Sequence, residues 1–210
     1  MVSQKAKTNE NEVLTKSGRP KKSVIALQAL PMFNLEEAER LGFSQATISR
    51  AVARGEISRL EQNLYRHPES ALDPQIQDFA IACAKFGPNS AIGGLSALFH
   101  YGLLEQAPQQ VWVIVPPQIR SRVEKYRCLR TETPLTIGVS REPYFRITTI
   151  ERSLAEAMRH STKIGLDTAI RACRQAFKEA KSTPEKVLRI ARQLGFEDFI
   201  IRNWEAITLE

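Results

Sequence analysis

The sequence predicts an α+β protein: an amino-terminal helical pair closed by a β-hairpin, then a mixed α/β region with a helical carboxy-terminal end. Three observations carry that expectation. Two short amphipathic segments meet at Leu41-Gly42-Phe43 and run directly into two strand-like pieces, Ile57–Leu60 and Asn63–Arg66. Val111–Val115 is an unbroken apolar run stopped by Pro116-Pro117, the pattern of a strand buried on both faces. From Ile150 onward apolar residues recur at helical spacing.

The first helical pair is the most informative stretch. A short helix around Val24, Ile25, Leu27 and Leu30 ends at Pro31. Asn34 is then a good N-cap, with Glu37 placed to reciprocate in a capping box and Phe33 and Ala38 at the two hydrophobic-staple positions. Gly42 supplies the left-handed turn, Ser44 caps the second helix, and Phe43 can staple to Ile48. Helix, glycine turn, helix and hairpin make a winged helix-turn-helix over residues 23–70. The second helix presents Gln45, Thr47, Ser49, Arg50 and Arg54, hydrogen-bonding or cationic side chains of the kinds that read base edges and phosphates. With Ser44, and with Arg59 and Arg66 in the wing, they form the expected DNA-binding set; His67 is expected at the surface beside phosphates. A plain two-helix corner is the competing reading.

Residues 1–22 are polar and lysine-rich, expected to lack regular structure as a flexible basic arm. Within them Gly18-Arg19-Pro20-Lys21-Lys22 resembles an AT-hook core, so that Arg19, Lys21 and Lys22 either reach into an A·T-rich minor groove or form a solvated tail.

Residues 71–210 are expected to form the mixed α/β domain. Helices are predicted at about Gln75–Lys85 and Leu95–Leu104, and strand pieces near Tyr126–Arg130, Leu135–Val139 and Tyr144–Ile147. A Thr148-x-x-Glu151 capping box opens a helix with Ile150, Leu154 and Met158 inward. The predicted buried stripes beyond it are Leu166, Ile170, Cys173 and Phe177, then Val187, Ala191 and Leu194. A small mixed sheet packed by several helices accounts for this order.

Charge distribution narrows the partners. The net charge is +7, but residues 31–70 carry five arginines against six glutamates. The excess lies in residues 1–30, six Lys/Arg against two Glu, and in residues 71–210, nineteen Lys/Arg against fifteen Asp/Glu. Arg120, Arg122, Lys125, Arg127 and Arg130 crowd one segment and suggest a second basic surface, with a solvated charged face as the alternative. Arg171, Arg174, Lys178 and Lys181 suggest a ridge for an acidic partner or its nucleic acid, against the same alternative.

No apolar run approaches the ~20 residues of a membrane span, and the polar start carries no secretory h-region, so a cytoplasmic protein is expected. Cys83, Cys128 and Cys173 show no paired spacing and read as small hydrophobes; His67, His100 and His160 are scattered, so neither a metal nor another cofactor is expected. Gly93-Gly94 invites comparison with nucleotidyltransferases, but no aspartate falls between it and the following strands where metal ligands belong, and no Walker loop or nucleophile elbow is present. A non-enzymatic protein is expected.

Three segments in order then carry a family resemblance: Asn63-Leu64-Tyr65-Arg66-His67-Pro68; Gly94–Leu103 followed by Val111-Trp112-Val113-Ile114-Val115-Pro116; and Thr148-Thr149-Ile150-Glu151-Arg152-Ser153-Leu154-Ala155-Glu156. Over about residues 23–165 the chain resembles the AbiEi antitoxins of bacterial abortive-infection, type IV toxin–antitoxin systems. The resemblance implies a winged helix that represses its own operon by binding promoter repeats, as a monomer in solution or cooperatively on DNA, and a carboxy-terminal domain that antagonises a nucleotidyltransferase-like toxin. Gly-Arg-Pro in the arm departs from that pattern. Two alternatives remain: a stand-alone ligand-responsive repressor without a toxin, and a module whose winged helix contacts protein.

Overall fold

Chain order in the computed structural model follows the alternation of turn residues and apolar runs. The structure describes residues 12–14 and 20–208 and divides into two units, residues 1–73 and 74–210. In the arm, β1 (Glu12–Leu14) pairs antiparallel with β2 (Pro20–Lys22), Val13 opposite Lys21, where the sequence reading expects no regular structure. Pro20 is tolerated because it is the first residue of its strand, where a ladder N–H is least needed. Arg19 lies outside the described residues.

In the first unit a 3-10 turn over Val24–Ala29 buries Leu27, and α1 (Leu35–Arg40) and α2 (Gln45–Ala53) follow. The capping box forms as expected: Asn34 Oδ1 accepts from the Glu37 N–H at 2.9 Å, and Glu37 Oε2 accepts from the Asn34 N–H at 2.8 Å. Gly42 sits at φ 82°, the left-handed region that needs glycine. Phe33, Ala38, Phe43, Ile48, Ala51 and Ile57 close one small core. The wing is β3 (Ser58–Glu61) and β4 (Leu64–Arg66) around Asn63 at φ 54°. It is fastened to the helices twice. Phe33 and Tyr65 exchange two backbone hydrogen bonds of 2.9 Å and stack their rings. Asn63 Oδ1 accepts from the first free N–H of α1, on Leu35, at 3.0 Å.

The second unit opens at Pro74 with α3 (Pro74–Phe86). Then come β5 (Ala91–Ile92), α4 (Gly94–His100), β6 (Val111–Val115), β7 (Tyr126–Arg130), β8 (Val139–Arg141), β9 (Arg146–Thr148), α5 (Ile150–Arg159), α6 (Ser161–Ile164), α7 (Leu166–Lys178), α8 (Pro184–Gln193), α9 (Asp198–Ile201) and α10 (Trp204–Thr208). The strands make one mixed sheet in the order β7-β6-β5-β9-β8, with β6/β7 and β5/β9 parallel. Phe79, Ala82, Cys83 and Phe86 of α3 pack on one face; α5, α7 and α8 build a larger core on the other with Trp112, Ile114 and Leu129.

Three boundaries and one buried stripe differ from the sequence expectations. The second helix of this unit stops at His100, because Gly102 turns the chain at φ 69°. Residues 135–138 form no strand: Gly138 takes φ 60°, and the strand begins at Val139. The cap of α5 is Thr149, which accepts from the Arg152 N–H; Thr148 ends β9, its hydroxyl buried against Ser153 at 2.7 Å. Ala169, Ala172, Cys173 and Ala176 are the buried residues of α7, whereas Leu166 stays 45 % exposed. Small side chains there let α7 approach α5 closely. The two-residue strand β5 escapes the sequence reading because Gly93-Gly94 interrupts the apolar run. A Cβ at Gly93 would lie 2.6 Å from the Ile114 side chain, and one at Gly94, itself at φ 52°, 2.7 Å from Trp112. The glycine pair is explained by α4 packing tightly onto β6.

Candidate nucleic-acid interface

Helix α2 buries Ile48 and Ala51 completely, which aims the remaining residues outward. Ser44 and Gln45 at its start and Ser49 and Arg50 in its middle are exposed; Thr47 is half-buried. Ser44 Oγ accepts from the Thr47 N–H at 3.3 Å, and the two hydroxyls lie 3.0 Å apart, so Ser44 and Thr47 also serve the cap. Arg50 Nε donates to the Ala46 carbonyl at 3.0 Å, laying the side chain along the exposed helix surface. Gln45, Ser49 and Arg50 thus share an acid-free surface on a helix fixed from behind.

The other members of the expected set divide. Arg54 forms a two-pronged pair with Glu56, at 2.6 and 2.9 Å, and that hydrogen bonding raises its pKa further. Glu56 engages Nε and Nη2 of Arg54 and offsets its charge, which leaves Nη1 as the uncommitted nitrogen of that pair. The sequence signal for this was visible, a glutamate two residues on across Gly55. Arg59 is exposed on the wing. Arg66 turns inward: its Nη2 donates to the Ser70 carbonyl at 3.0 Å, tying the wing to the segment leaving it. His67 is only 9 % exposed and its Nδ1 accepts from the Glu69 N–H at 3.2 Å, so it is not the surface group expected. The tight turn at Pro68-Glu69 folds the chain over it. Lys21 and Lys22 lie on β2.

In the second unit the cluster from 120 to 130 does not form one patch. Arg120 and Arg122 are exposed in the loop between β6 and β7. Lys125 is paired with Asp78 of α3 at 2.6 Å. Arg127 and Leu129 lie on the Trp112 face of the sheet, with the Arg127 guanidinium 5.8 Å from the Trp112 ring; Arg130 lies on the opposite face with Tyr126. The second expected ridge is also shorter than the sequence implies. Arg171 and Lys178 are exposed on α7, and Arg174 donates through Nε to the Ala206 carbonyl of α10 at 2.7 Å. Lys181 falls beyond the helix, after Ala180 at φ 54°, and donates to the Tyr101 carbonyl at 2.7 Å while pairing with Glu179.

His100, Cys83 and Cys173 are structural in setting. His100 packs edge-on against Phe79, Tyr101 and Phe145. Burial raises the Cys83 thiol and pushes Cys173 up to about 12, so neither is a ready nucleophile. Among the described residues no trio of His, Cys, Asp or Glu gathers into a metal site, and no helix is long and apolar enough to cross a membrane.

No curated protein matches the chain. Residues 25–68, which span the helix-turn-helix and its wing, match the family model described as transcriptional regulator, AbiEi antitoxin, so over this unit the family resemblance read from the sequence holds.

Proposed function

We propose that this chain is a DNA-binding repressor of its own operon, acting in the bacterial cytoplasm, and an antitoxin against a nucleotidyltransferase-like toxin encoded beside it. The observation that carries the first half is the exposed, acid-free surface of Gln45, Ser49 and Arg50 on a capped helix backed by a wing. The family match over residues 25–68 supports the same reading. Ser44 and Thr47 at the start of the helix, Arg54 at its end and exposed Arg59 on the wing extend that surface, whereas Arg66 is held inward by the Ser70 carbonyl. Arg19, Lys21 and Lys22 add cations from the arm, which matters because residues 31–70 alone are net negative. The antitoxin role falls to residues 74–210, since the winged helix has little surface left once α2 faces DNA.

Gel-shift titration on the chain's own promoter fragment tests the first half. Wild type shifts the fragment, Gln45→Ala and Arg50→Ala weaken the shift, and removal of residues 1–22 both weakens it and flattens its salt dependence. A promoter that never shifts at low salt ends the repressor reading. Growth rescue on co-expression with the adjacent gene tests the second half.

The ligand-responsive alternative would need a site in the second unit, and one open depression is available to it. This shallow, solvent-open depression of about 440 Å³ is lined by Thr133, Arg159, Gln193, Phe196 and Phe199 among others, with the Arg159 guanidinium over the Phe196 ring at 4.9 Å. Promoter release by a small molecule, with no toxicity from any neighbouring gene, would select that reading.

A further inference from the structure

Strand β7 closes one edge of the five-stranded sheet, and its ladder to β6 fixes which backbone groups look outward. The Val111 N–H donates to the Lys125 carbonyl at 2.8 Å and the Thr131 N–H donates to the Val115 carbonyl at 3.0 Å. In a parallel ladder the same strand turns alternate residues toward its neighbour. Residues 125, 127, 129 and 131 therefore face β6, and Cys128 and Arg130 turn both N–H and C=O away from it. Among the described residues those four groups have no backbone partner. The opposite edge, β8, is only three residues long; β7 has five in regular register. Of its outward residues the Tyr126 N–H is taken by the Val123 carbonyl at 3.0 Å, which leaves Cys128 and Arg130 for an incoming strand.

The side chains say what fits there. Arg127 flanks the edge on one face of the sheet and Arg130 on the other, and exposed Arg120 and Arg122 precede them in the loop. Glu124 and Glu132 are the acids near the ends of the strand. Charges of one sign along an edge oppose its pairing with a second copy of itself. They favour an incoming strand of opposite charge, because cross-strand pairs of opposite charge stabilise a sheet. A DNA backbone would meet cations spread over two faces of a sheet; a β-strand naturally presents side chains to both.

We infer that β7 is a strand-addition site for a partner protein, which supplies an extended segment carrying carboxylates three positions apart, one opposite Arg127 and one opposite Arg130. The backbone of Cys128 and Arg130 supplies the hydrogen bonds and the two arginines supply selectivity for acid.

The test uses the full chain and a fluorescent synthetic peptide of valine and threonine with two glutamates three positions apart, followed by anisotropy. The peptide binds. Its lysine counterpart does not, and methylating the alternate peptide amides that would donate to β7 weakens binding by about tenfold or more, as expected for losing one or two intermolecular hydrogen bonds. Cys128→Pro, which removes an outward N–H and no bond to β6, weakens binding comparably while tryptophan fluorescence reports an unchanged fold. Reversal of Arg127 and Arg130 to Glu transfers preference to the lysine peptide. The inference is overturned if the acidic peptide does not bind, or if the methylated peptide binds as well as the parent. It is equally overturned if promoter DNA, and not the peptide, responds to the double reversal.

Discussion

Arg152 and Glu156 stand one helical turn apart on α5, Nε to Oε1 at 2.9 Å, with both side chains buried. The guanidinium also donates to the carbonyls of Pro134 and Ile137, at 2.7 and 2.5 Å, and to the Thr133 hydroxyl at 2.8 Å. One buried cation thus holds the chain between β7 and β8 against the helical core. Burial pushes the Glu156 carboxyl up from its ordinary value, while Arg152 pulls it down. Glu156→Ala leaves the arginine without its counter-charge and is expected to cost about 3–5 kcal/mol. The double variant Arg152→Met, Glu156→Leu should cost less than the single one. Both tryptophans, Trp112 and Trp204, lie in this unit, so urea unfolding followed by their fluorescence reports on it directly.

At the proposed operator, Arg50→Ala is expected to lose about 1–3 kcal/mol of binding if the guanidinium makes a two-pronged guanine contact. Arg54→Ala should lose less, because Glu56 already engages two of the guanidinium nitrogens and offsets its charge. Gel-shift affinities at fixed salt check both, and equal losses would contradict the ordering.

Removing the α1 cap acts on the fold. Asn34→Ala removes the acceptor of the Glu37 N–H, while the backbone N–H of residue 34 can still donate to the Glu37 carboxylate, and should cost about 1 kcal/mol. Faster amide exchange across residues 35–41, with tryptophan-monitored stability unchanged, is the expected signature.

His160 gives the second unit a pH dependence. Burial, assisted by Arg159 and Lys163, depresses its pKa from 6.5 to about 4. The folded imidazole stays neutral where the unfolded one takes a proton, so the unfolded state binds more protons and stability falls as pH drops. The loss should begin near pH 6.5 and continue toward about 4. His160→Asn should flatten unfolding midpoints across that window, and an unchanged slope would refute the assignment.

If α7 neutralises a toxin, reversing Arg171 and Lys178 to Glu should abolish growth rescue at normal protein abundance and melting temperature. Arg174→Glu is a poorer probe, since it also cuts the bond to Ala206. Rescue by the Arg171, Lys178 variant would remove this helix as the neutralising surface.

Much of the first unit was legible because its signals are local: Asn34 with Glu37, Gly42, and Ser44 before an acid-free helix each act within one turn of chain. The charged residues were harder. Arg66, Lys125, Arg174 and Lys181 read as surface cations, yet each meets a specific partner brought up by tertiary folding. Arg152 was seen only as part of a motif, because nothing nearby in sequence reveals that residues 133–137 fold back over its guanidinium. On α7 the alanines won the buried stripe by size, which hydrophobic periodicity ranks below leucine and phenylalanine.

The construction of α2 separates two kinds of inheritance. Ser44, Phe43, Ile48 and Ala51 determine that the helix exists and where it lies, and none of them is an outward residue of its middle turns. Gln45 and Ser49 contribute nothing to that core. If Gln45, Ser49 and Arg50 read an operator as proposed, then after a gene duplication one copy can drift toward a new operator through them while its thermal tolerance stays that of the parent. Lineages of this winged helix should then diverge fastest at those three outward positions and slowest at Ile48 and Ala51 behind them.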